Sequence, residues 1–237
     1  MMKIALCINY VNYSDPFKKT RQEVAIDVLL ANKPRNVTLY SFNFPEDTVK
    51  LPDSFYVMKQ LTRDSQKDLG NSRRLPYIKD IMFLGSQVVH CDVFGYMNSD
   101  ILLNKDFYKV FDKNADAYVF YKKDIDIVTA SDFSSNKIKV IDEKPDGVDA
   151  FFFKKDWWFR NSQLFPSGLV LGETEWDTCY NSIIQKAADN YCLKRSLYHV
   201  VHERIWSIDT RGAINNTIIW RTVRDKYGIP QFKPEDL

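Results

Sequence analysis

Two short apolar runs near the amino terminus, separated by a stretch of helix-forming residues, constrain the fold more than any other feature of the sequence. Lys3–Asn9 is the first run, and Val37–Asn43 is rich in β-branched and aromatic residues in an alternating pattern. Between them, Lys18–Asn32 combines apolar residues with good helix formers and predicts a helix. A strand, a helix and a second strand in this order favour a parallel sheet covered by helices.

The rest of the chain contains further strands and helices but loses the strict alternation. Pro76 fits the first turn of a helix predicted over Leu75–His90, and Val93–Met97 follows as a strand. Such a chain belongs to the α/β class, with a mixed, mostly parallel sheet flanked by helices. Because the sequence shows no repeat or linker, we predict one domain over residues 1–237. The other predicted strands are Ala117–Tyr121, Lys137–Ile141, Ala150–Phe153 and Cys192–Val201, and the other helices are Lys105–Asn114, Glu173–Asn190 and Ile214–Tyr227.

The composition excludes several classes of protein. The chain has 237 residues, 45% of them hydrophobic, and a formal net charge of only +2. Nucleic-acid-binding domains carry a marked basic excess, so we expect no nucleic-acid partner. The sequence has no signal-peptide pattern and no run of ~20 apolar residues. Its four cysteines lack metal-ligand spacing and indicate buried thiols in a reducing compartment, so we expect a cytoplasmic protein.

Three motifs of other enzyme classes are missing from the sequence. No Gly-x-Gly-x-x-Gly follows the first strand, and neither Gly-x-x-x-x-Gly-Lys-Ser/Thr nor Gly-x-Ser-x-Gly occurs. The sequence therefore does not support a Rossmann dinucleotide or methyl-donor site, a P-loop or an α/β-hydrolase nucleophile elbow.

The sharpest local feature is Asn98-Ser99-Asp100, which directly follows the predicted strand Val93–Met97. Ligands of open α/β sheets bind at the carboxyl ends of strands. Carboxylate and amide oxygens at such a place suit Mg²⁺ or Mn²⁺, and the ion would neutralise a diphosphate. The alternative is that Asp100 closes a turn, as Asx residues often do.

An acidic segment, Gly172–Asp177, marks the start of a predicted helix and contains candidate acid–base residues. Glu175 or Asp177 can deprotonate an acceptor hydroxyl, and Trp176 between them can stack on a sugar or belong to the core. The alternative explanation is electrostatic, because carboxylates stabilise a helix N-terminus, with Thr174 as the cap.

The segment His199–Arg204 contains two histidines, a residue type that often binds metals. If the segment is a strand, His199 and Val201 face one side and Val200 and His202 face the other. We therefore expect one of the two histidines at most to share a metal with Asp100. The alternative is that each histidine is structural.

Two other segments combine features of ligand sites with features of ordinary structure. The aromatic run from Asp149 to Arg160 can form a carbohydrate platform or a surface for a lipid-linked acceptor, or it can be a core strand followed by a helix. Arg74 and Lys79 lie near the start of a predicted helix, where basic groups suit phosphate, or they belong to a solvated surface.

In their order along the chain, these pieces resemble a GT-A glycosyltransferase. The resemblance covers roughly Lys3 to Ser207 and rests on Asn9-Tyr10, Arg74–Asp80, Asn98–Ile101, Gly147–Phe151, Gly172–Asp177 and His202. It implies one nucleotide-binding α/β domain that holds a nucleotide-diphospho-sugar through a metal at an Asp-x-Asp-type motif. Here the motif is Asn98-x-Asp100, with Asn in place of the first Asp.

The resemblance also implies roles for individual residues. Asp100 would bind Mn²⁺ or Mg²⁺, with His202 as a further ligand, and Asn98 and Ser99 would contact the donor. Asp177 would be the base that activates the acceptor, with Glu175 as the second candidate. The remaining matches place Asn9 and Tyr10 at the nucleobase, Arg74 and Lys79 at the diphosphate, and Asp149 at the donor or acceptor sugar.

We therefore expect a metal-assisted glycosyltransferase of polysaccharide biosynthesis that moves a sugar to a hydroxyl of a glycan or lipid-linked glycan. Peripheral membrane contact would fit such an acceptor, and residues from about 211 to 237 would form a helical extension. A non-catalytic, degenerate GT-A module that binds nucleotide or sugar is the alternative. A sugar-1-phosphate nucleotidyltransferase would need a Gly-rich loop after the first strand, and Asn9–Phe17 contains no Gly.

Overall fold

A nine-stranded mixed sheet organises the computed structural model, which describes residues 1–126, 129–142, 147–202 and 208–229. The strands run in the order β3-β2-β1-β4-β8-β6-β9-β5, and β7 pairs with β6 outside this path. In chain order they are β1 (Ile4–Ile8), β2 (Val37–Phe42), β3 (Phe55–Met58), β4 (Val93–Met97), β5 (Ile101–Leu103), β6 (Ala117–Ile125), β7 (Val140–Asp142), β8 (Val148–Lys154) and β9 (Tyr191–Val200).

The described residues also form seven α-helices and two 3₁₀ helices. They are α1 (Pro16–Asn32), α2 (Ser65–Leu69), α3 (Ile78–Ser86), α4 (Ala130–Ser134), α5 (Lys155–Asn161), α6 (Trp176–Ala187) and α7 (Arg211–Tyr227), with 3₁₀ helices at Lys105–Lys113 and Ser162–Leu164.

The pairing of the strands is parallel in one half of the sheet and mixed in the other. β1 pairs in parallel with β2 and β4, and β3 extends this half by pairing in parallel with β2. β8 runs antiparallel between β4 and β6, whereas β6 and β9 form a long parallel ladder. The predicted β-α-β opening and the mixed α/β class with flanking helices are confirmed.

Both faces of the sheet are buried, which explains why its central strands are continuous apolar runs. In β1, Ile4, Leu6 and Ile8 belong to one core cluster, while Ala5 and Cys7 belong to another. Successive side chains of a strand point to opposite faces, so the two clusters lie on the two sides of the sheet.

The C-terminal helix α7 packs into the core. It begins at Arg211 and buries Trp220 and Val223 in the cluster that contains Ala5 and Cys7. Residues 230–237 of the expected extension lie outside the described residues, and the single-domain assignment stays a prediction. Within the described ranges, no helix combines the length and the apolar character needed to cross a membrane.

Several predicted helices are shorter or tighter than expected. Leu75–His90 reduces to α3, and Lys105–Asn114 is a 3₁₀ helix, Lys105–Lys113. The expected Thr174 cap is wrong, because α6 starts later and Glu175 is its N-cap residue, with a left-handed φ of 68° and no side-chain cap. Glu173 lies before this turn and is buried, accepting hydrogen bonds from Asn71 and Thr210.

Candidate functional site

The carboxyl end of β4 presents Asn98 in a fixed orientation. Gly95 allows β4 to approach β8 closely, because a Cβ there would lie 2.2 Å from the carbonyl oxygen of Phe151. The backbone N–H of Asn98 donates to the carbonyl of Asp149, and its Nδ2 donates to Oδ1 of Asp149 over 2.6 Å. The Tyr96 hydroxyl donates to the Asn98 Oδ1 over 3.0 Å, so both ends of the amide are held.

Asp100 meets both histidines of the late segment. β5 pairs antiparallel with β9 and sets Ile101 opposite His199, which brings the preceding Asp100 to the end of β9. Oδ2 of Asp100 lies 3.6 Å from Nε2 of His199 and 3.9 Å from Nε2 of His202. One potential ligand atom from each of the three residues lies within 4.8 Å of the others.

This cluster corrects the expectation that His199 and His202 face opposite sides. β9 ends at Val200, so His202 does not follow the alternation of a strand. The two imidazole rings lie with their centroids 4.9 Å apart. A carboxylate oxygen and two imidazole nitrogens can together hold a divalent transition metal such as Mn²⁺.

Asp124 orients His199 from the side away from Asp100. Oδ1 of Asp124 lies 2.9 Å from Nδ1 of His199, an arrangement that fixes the ring and directs Nε2 towards Asp100. Burial lowers the pKa of His199, but its contacts with Asp100 and Asp124 outweigh burial and raise it to about 9. Burial opposes ionisation of Asp100 as well, yet contact with His199 holds the pKa of this carboxyl below its usual value.

Asp149 combines one satisfied and one unsatisfied carboxylate oxygen. Its Oδ1 accepts the hydrogen bond from Asn98, whereas the buried Oδ2 has no hydrogen-bond donor among the described residues. Nζ of Lys122 lies 3.9 Å from this Oδ2 and 3.9 Å from Oδ1 of Asp124. Burial raises the pKa of Asp149, and Lys122 counteracts part of the effect.

Asp177 sits in the first turn of α6 and reaches back to the start of β8. Its Oδ2 accepts a hydrogen bond from the backbone N–H of Val148 over 3.0 Å. Gly147, with φ of 111°, passes so close that a Cβ there would lie 2.9 Å from the same oxygen. Burial raises the pKa of Asp177 to about 6, and the negative charge of Asp149 contributes to the shift.

The two residues before Asp177 occupy different surroundings. Glu175 is half-buried, burial raises its pKa, and Arg221 counteracts the shift. Trp176 is only 5% exposed and packs edge-on against Tyr96 and Phe151, so its ring belongs to the core. Of the two interpretations of Trp176, the position of the ring fits that of a core residue. Its contact with a sugar stays a prediction.

The residues assigned to the nucleobase lie at the end of β1. Nδ2 of Asn9 donates to the carbonyl of Phe42 in the neighbouring strand over 2.7 Å. The ring of Tyr10 is buried in the core, so only its backbone lies at the end of the strand. Ser99 accepts a hydrogen bond from Nε2 of Gln22 over 2.7 Å, which connects α1 to the loop before Asp100.

The two cations assigned to the diphosphate have partners within the protein. Arg74 forms ion pairs with Glu46 and Asp47 and lies over the ring of Phe44. Nζ of Lys79 donates to the carbonyl of Phe165 over 2.5 Å. The structure therefore does not bring Arg74 and Lys79 into contact with Asp100, and their predicted role stays a prediction.

The sequence placed His202 in the metal site and left His199 as an alternative ligand, but it did not point to Asp124 or Lys122. Their common signal is the parallel ladder of β6 and β9, which sets Asp124 opposite His199 and Lys122 opposite Leu197. The strand that carries Lys122 and Asp124 was predicted only as far as Tyr121, whereas β6 continues to Ile125. The predicted strand therefore did not include either residue.

The fold resembles that of solved glycosyltransferase structures. Against residues 1–349 of TarS from S. aureus, the TM-score is 0.51 with 15% identity, over 84% of this chain and 60% of that one. For the same protein in complex with UDP-GlcNAc, the TM-score is 0.52 with 14% identity, over 85% of this chain and 59% of that one. GalNAc-T7 with UDP, GalNAc and Mn²⁺ gives 0.55 with 11% identity, over 96% of this chain and 50% of that one.

The chain thus spans 50% of the length of the GalNAc-T7 chain and 60% of the TarS fragment. No protein-family model matches the sequence, and a comparison with curated proteins found no match. At these identities the likeness concerns the fold. The chain has the GT-A fold, a mixed α/β sheet flanked by helices, as the sequence predicted.

Proposed function

We propose that this chain is a glycosyltransferase that moves a sugar from a nucleotide-diphospho-sugar to an acceptor hydroxyl. The observation that carries the proposal is the cluster of Asp100, His199 and His202 at the carboxyl end of β4. That sheet edge is where open α/β folds bind ligands. TarS with UDP-GlcNAc and GalNAc-T7 with UDP, GalNAc and Mn²⁺ share the fold, so UDP-sugars are the first donors to test.

The three clustered residues fit a divalent metal. One carboxylate oxygen and two imidazole nitrogens favour Mn²⁺ over Mg²⁺, because Mg²⁺ prefers oxygen ligands alone. Asp124 holds the His199 ring in place, as partners of metal-binding histidines commonly do. When bound, the metal neutralises negative charge that develops on the departing diphosphate.

Asp149 is suited to orient a sugar. Asn98 satisfies one of its carboxylate oxygens, and the other, Oδ2, is buried without a hydrogen-bond donor within the part of the chain described. A buried acceptor of this kind costs free energy until a donor reaches it. A sugar hydroxyl supplies such a donor, and the nearby Lys122 favours the ionised form of the carboxylate that accepts it.

Asp177 is the candidate base. The acceptor hydroxyl gives its proton to the Asp177 carboxylate, and its oxygen forms a bond to the anomeric carbon. The bond between that carbon and the diphosphate oxygen breaks, and the electron pair leaves with the diphosphate. A pKa of about 6 keeps the carboxyl ionised at neutral pH while making it a stronger base than an ordinary aspartate.

The finer assignments belong to the proposal as well. The acceptor is a glycan or lipid-linked glycan of polysaccharide biosynthesis, reached in the cytoplasm with peripheral membrane contact. Asn9, Tyr10 and Ser99 border the donor site, and Arg74 and Lys79 would have to exchange their present partners to reach a diphosphate.

A non-catalytic binding module is the second candidate. Asn98 favours it, because an amide engaged with Asp149 replaces the first carboxylate of an Asp-x-Asp motif. The two candidates differ in turnover rather than in binding. A module binds a nucleoside diphosphate but neither transfers nor hydrolyses any donor.

The first test is thermal melting of the purified chain with a panel of nucleoside diphosphates, with and without Mn²⁺. A ligand at about 100 times its dissociation constant adds about 2.7 kcal/mol, which shifts the midpoint by a few degrees for a chain of this size. We expect a shift that requires both Mn²⁺ and Asp100. No shift across the panel would contradict the proposal.

The second test separates enzyme from module. The chain is incubated with the sugar donor of the stabilising nucleotide, and sugar release to water or to a glycan acceptor is measured. We expect Asp177→Asn to bind donor normally without turnover, whereas Glu175→Gln should retain turnover. Wild-type binding without any turnover would favour the module, and loss in Glu175→Gln alone would move the base to Glu175.

A further inference from the structure

Arg21 is a buried cation, and two of its three guanidinium nitrogens have no hydrogen-bond acceptor within the described part of the chain. It lies on α1 at spacings of four and seven residues from Ala25 and Val28, on the face that the helix buries. The residue is 9% exposed, and its Nε and Nη1 are buried without an acceptor among the described residues. The guanidinium carbon lies 5.3 Å from the centroid of the Phe17 ring. A buried guanidinium in this state costs stability.

The surroundings of Arg21 place it beside the candidate metal cluster. Burial lowers the pKa of Arg21, and among its charged neighbours Asp100 opposes this most. The next residue, Gln22, donates to Ser99 and fixes α1 against the loop that carries Asp100. Asp100 itself makes its ion contacts with His199 and His202 rather than with Arg21.

The charges of the cluster change when it holds a divalent cation. The carboxylate of Asp100 would then bind the metal and would no longer balance the positive charge of Arg21. An uncompensated buried guanidinium next to a metal favours an anion between them. The planar guanidinium donates to oxygen atoms at fixed angles that match phosphate.

We propose that Arg21 is a diphosphate-binding residue of the donor site, with its guanidinium donating to phosphate oxygens. The inference rests on the proposed function and adds a residue to it. It also gives a role to an arginine on the buried face of α1, where an unpaired cation otherwise costs stability. Arg74 and Lys79, the cations that the sequence suggested, are already paired inside the protein.

The test compares Arg21→Met and Arg21→Lys with Arg35→Met, a matched substitution of an exposed arginine on the loop after α1. Calorimetry with Mn²⁺ measures binding of inorganic pyrophosphate, UDP and uridine. We expect Arg21→Met to lower the affinity for pyrophosphate and for UDP by about tenfold to a hundredfold, since it removes charge-assisted hydrogen bonds. Arg21→Met should bind uridine as the wild type does. Arg21→Lys should lose less affinity for pyrophosphate and UDP than Arg21→Met, and Arg35→Met should bind all three ligands as the wild type does.

A second readout separates a binding role from a structural one. Without ligand, Arg21→Met should melt at or above the wild-type midpoint, because it removes an unpaired buried charge. A lower midpoint with unchanged pyrophosphate binding would overturn the inference and make Arg21 a structural partner of Asp100. Equal losses for uridine and UDP would also overturn it, because the effect would then not concern the phosphates.

The outcomes also distinguish this inference from the proposed function. If the wild type binds pyrophosphate or UDP and Arg21→Met binds them equally well, only the inference fails. If the wild type binds neither of them with Mn²⁺, the inference and the nucleotide-sugar proposal fail together.

Discussion

Nδ2 of Asn98 donates a hydrogen bond to Oδ1 of Asp149 over 2.6 Å, and this contact gives a physical reason for the amide at position 98. An aspartate there would place two carboxylates against each other at hydrogen-bond distance. The amide instead supplies a donor to Asp149 and an acceptor to the Tyr96 hydroxyl. The variant motif and the carboxylate on β8 therefore function as a pair.

The first prediction exchanges the two members of this pair. Asn98→Asp should lower the free energy of unfolding at pH 7 by at least about 1.5–3 kcal/mol, because a charge-assisted hydrogen bond becomes a repulsion. The double variant Asn98→Asp with Asp149→Asn restores one donor and one carboxylate and should recover most of the loss. Urea unfolding of the three chains measures both effects.

Acid pH provides the control for this experiment. Repulsion raises the pKa of one of the two carboxyls, so the deficit of Asn98→Asp should shrink as the pH falls and that group takes up a proton. A deficit that is independent of pH, or a double variant no more stable than Asn98→Asp, would contradict the pairing.

The second prediction concerns the metal. Asp100→Asn should weaken Mn²⁺ binding at least about tenfold, and Asp124→Asn about tenfold to a hundredfold, because Asp124 orients the His199 ring. Asp116→Asn, which removes a half-buried contact with Lys154, is the matched control and should bind as the wild type does. Paramagnetic resonance of free Mn²⁺ reports the affinity directly. Equal affinities in all four chains would remove Asp100 from the ligand set.

The third prediction is the pH dependence that follows from Asp177. The base acts when ionised, so the transfer rate should fall about tenfold per pH unit below its pKa of about 6 and level off above it. The folded pKa is raised, so the folded chain binds this proton more tightly than the unfolded chain. The stability it contributes is present below pH 4 and lost as the pH rises through 6.

Asp177→Asn tests both consequences, because the amide can still accept from the Val148 N–H but does not titrate. It should lose transfer at every pH while melting above the wild type at pH 8 and close to it at pH 4. A rate that stays constant between pH 5 and pH 8 would exclude Asp177 as the base.

The residues that sequence predicted and those it missed differ in a physical way. β4 was predicted with its observed bounds because a short apolar run, Val93–Met97, ends at the polar turn residues Asn98-Ser99-Asp100. His199 was misjudged because its relation to His202 depends on where β9 ends, and strand ends are set by tertiary pairing. Arg21 could have been found from the sequence, because its spacing from Ala25 and Leu29 places a cation on the buried face of α1.

The last prediction uses two glycines to separate backbone strain from damage to the site. Gly147 and Gly228 both have positive φ, 111° and 59°, so alanine strains the backbone at each. A Cβ at Gly147 would lie 2.9 Å from Oδ2 of Asp177, whereas a Cβ at Gly228 would meet no atom of the described residues within 4 Å. Each variant should lose about 1 kcal/mol or more of stability.

Transfer should fall sharply in Gly147→Ala alone, because the added methyl group displaces the carboxylate that accepts the acceptor proton. A misplacement of about 1 Å can cost a hundredfold in rate. The assay is run well below both melting midpoints, so that the two chains are equally folded. If Gly228→Ala lost as much activity as Gly147→Ala, strain rather than the position of Asp177 would explain the loss, and the proposed base would lose its geometric support.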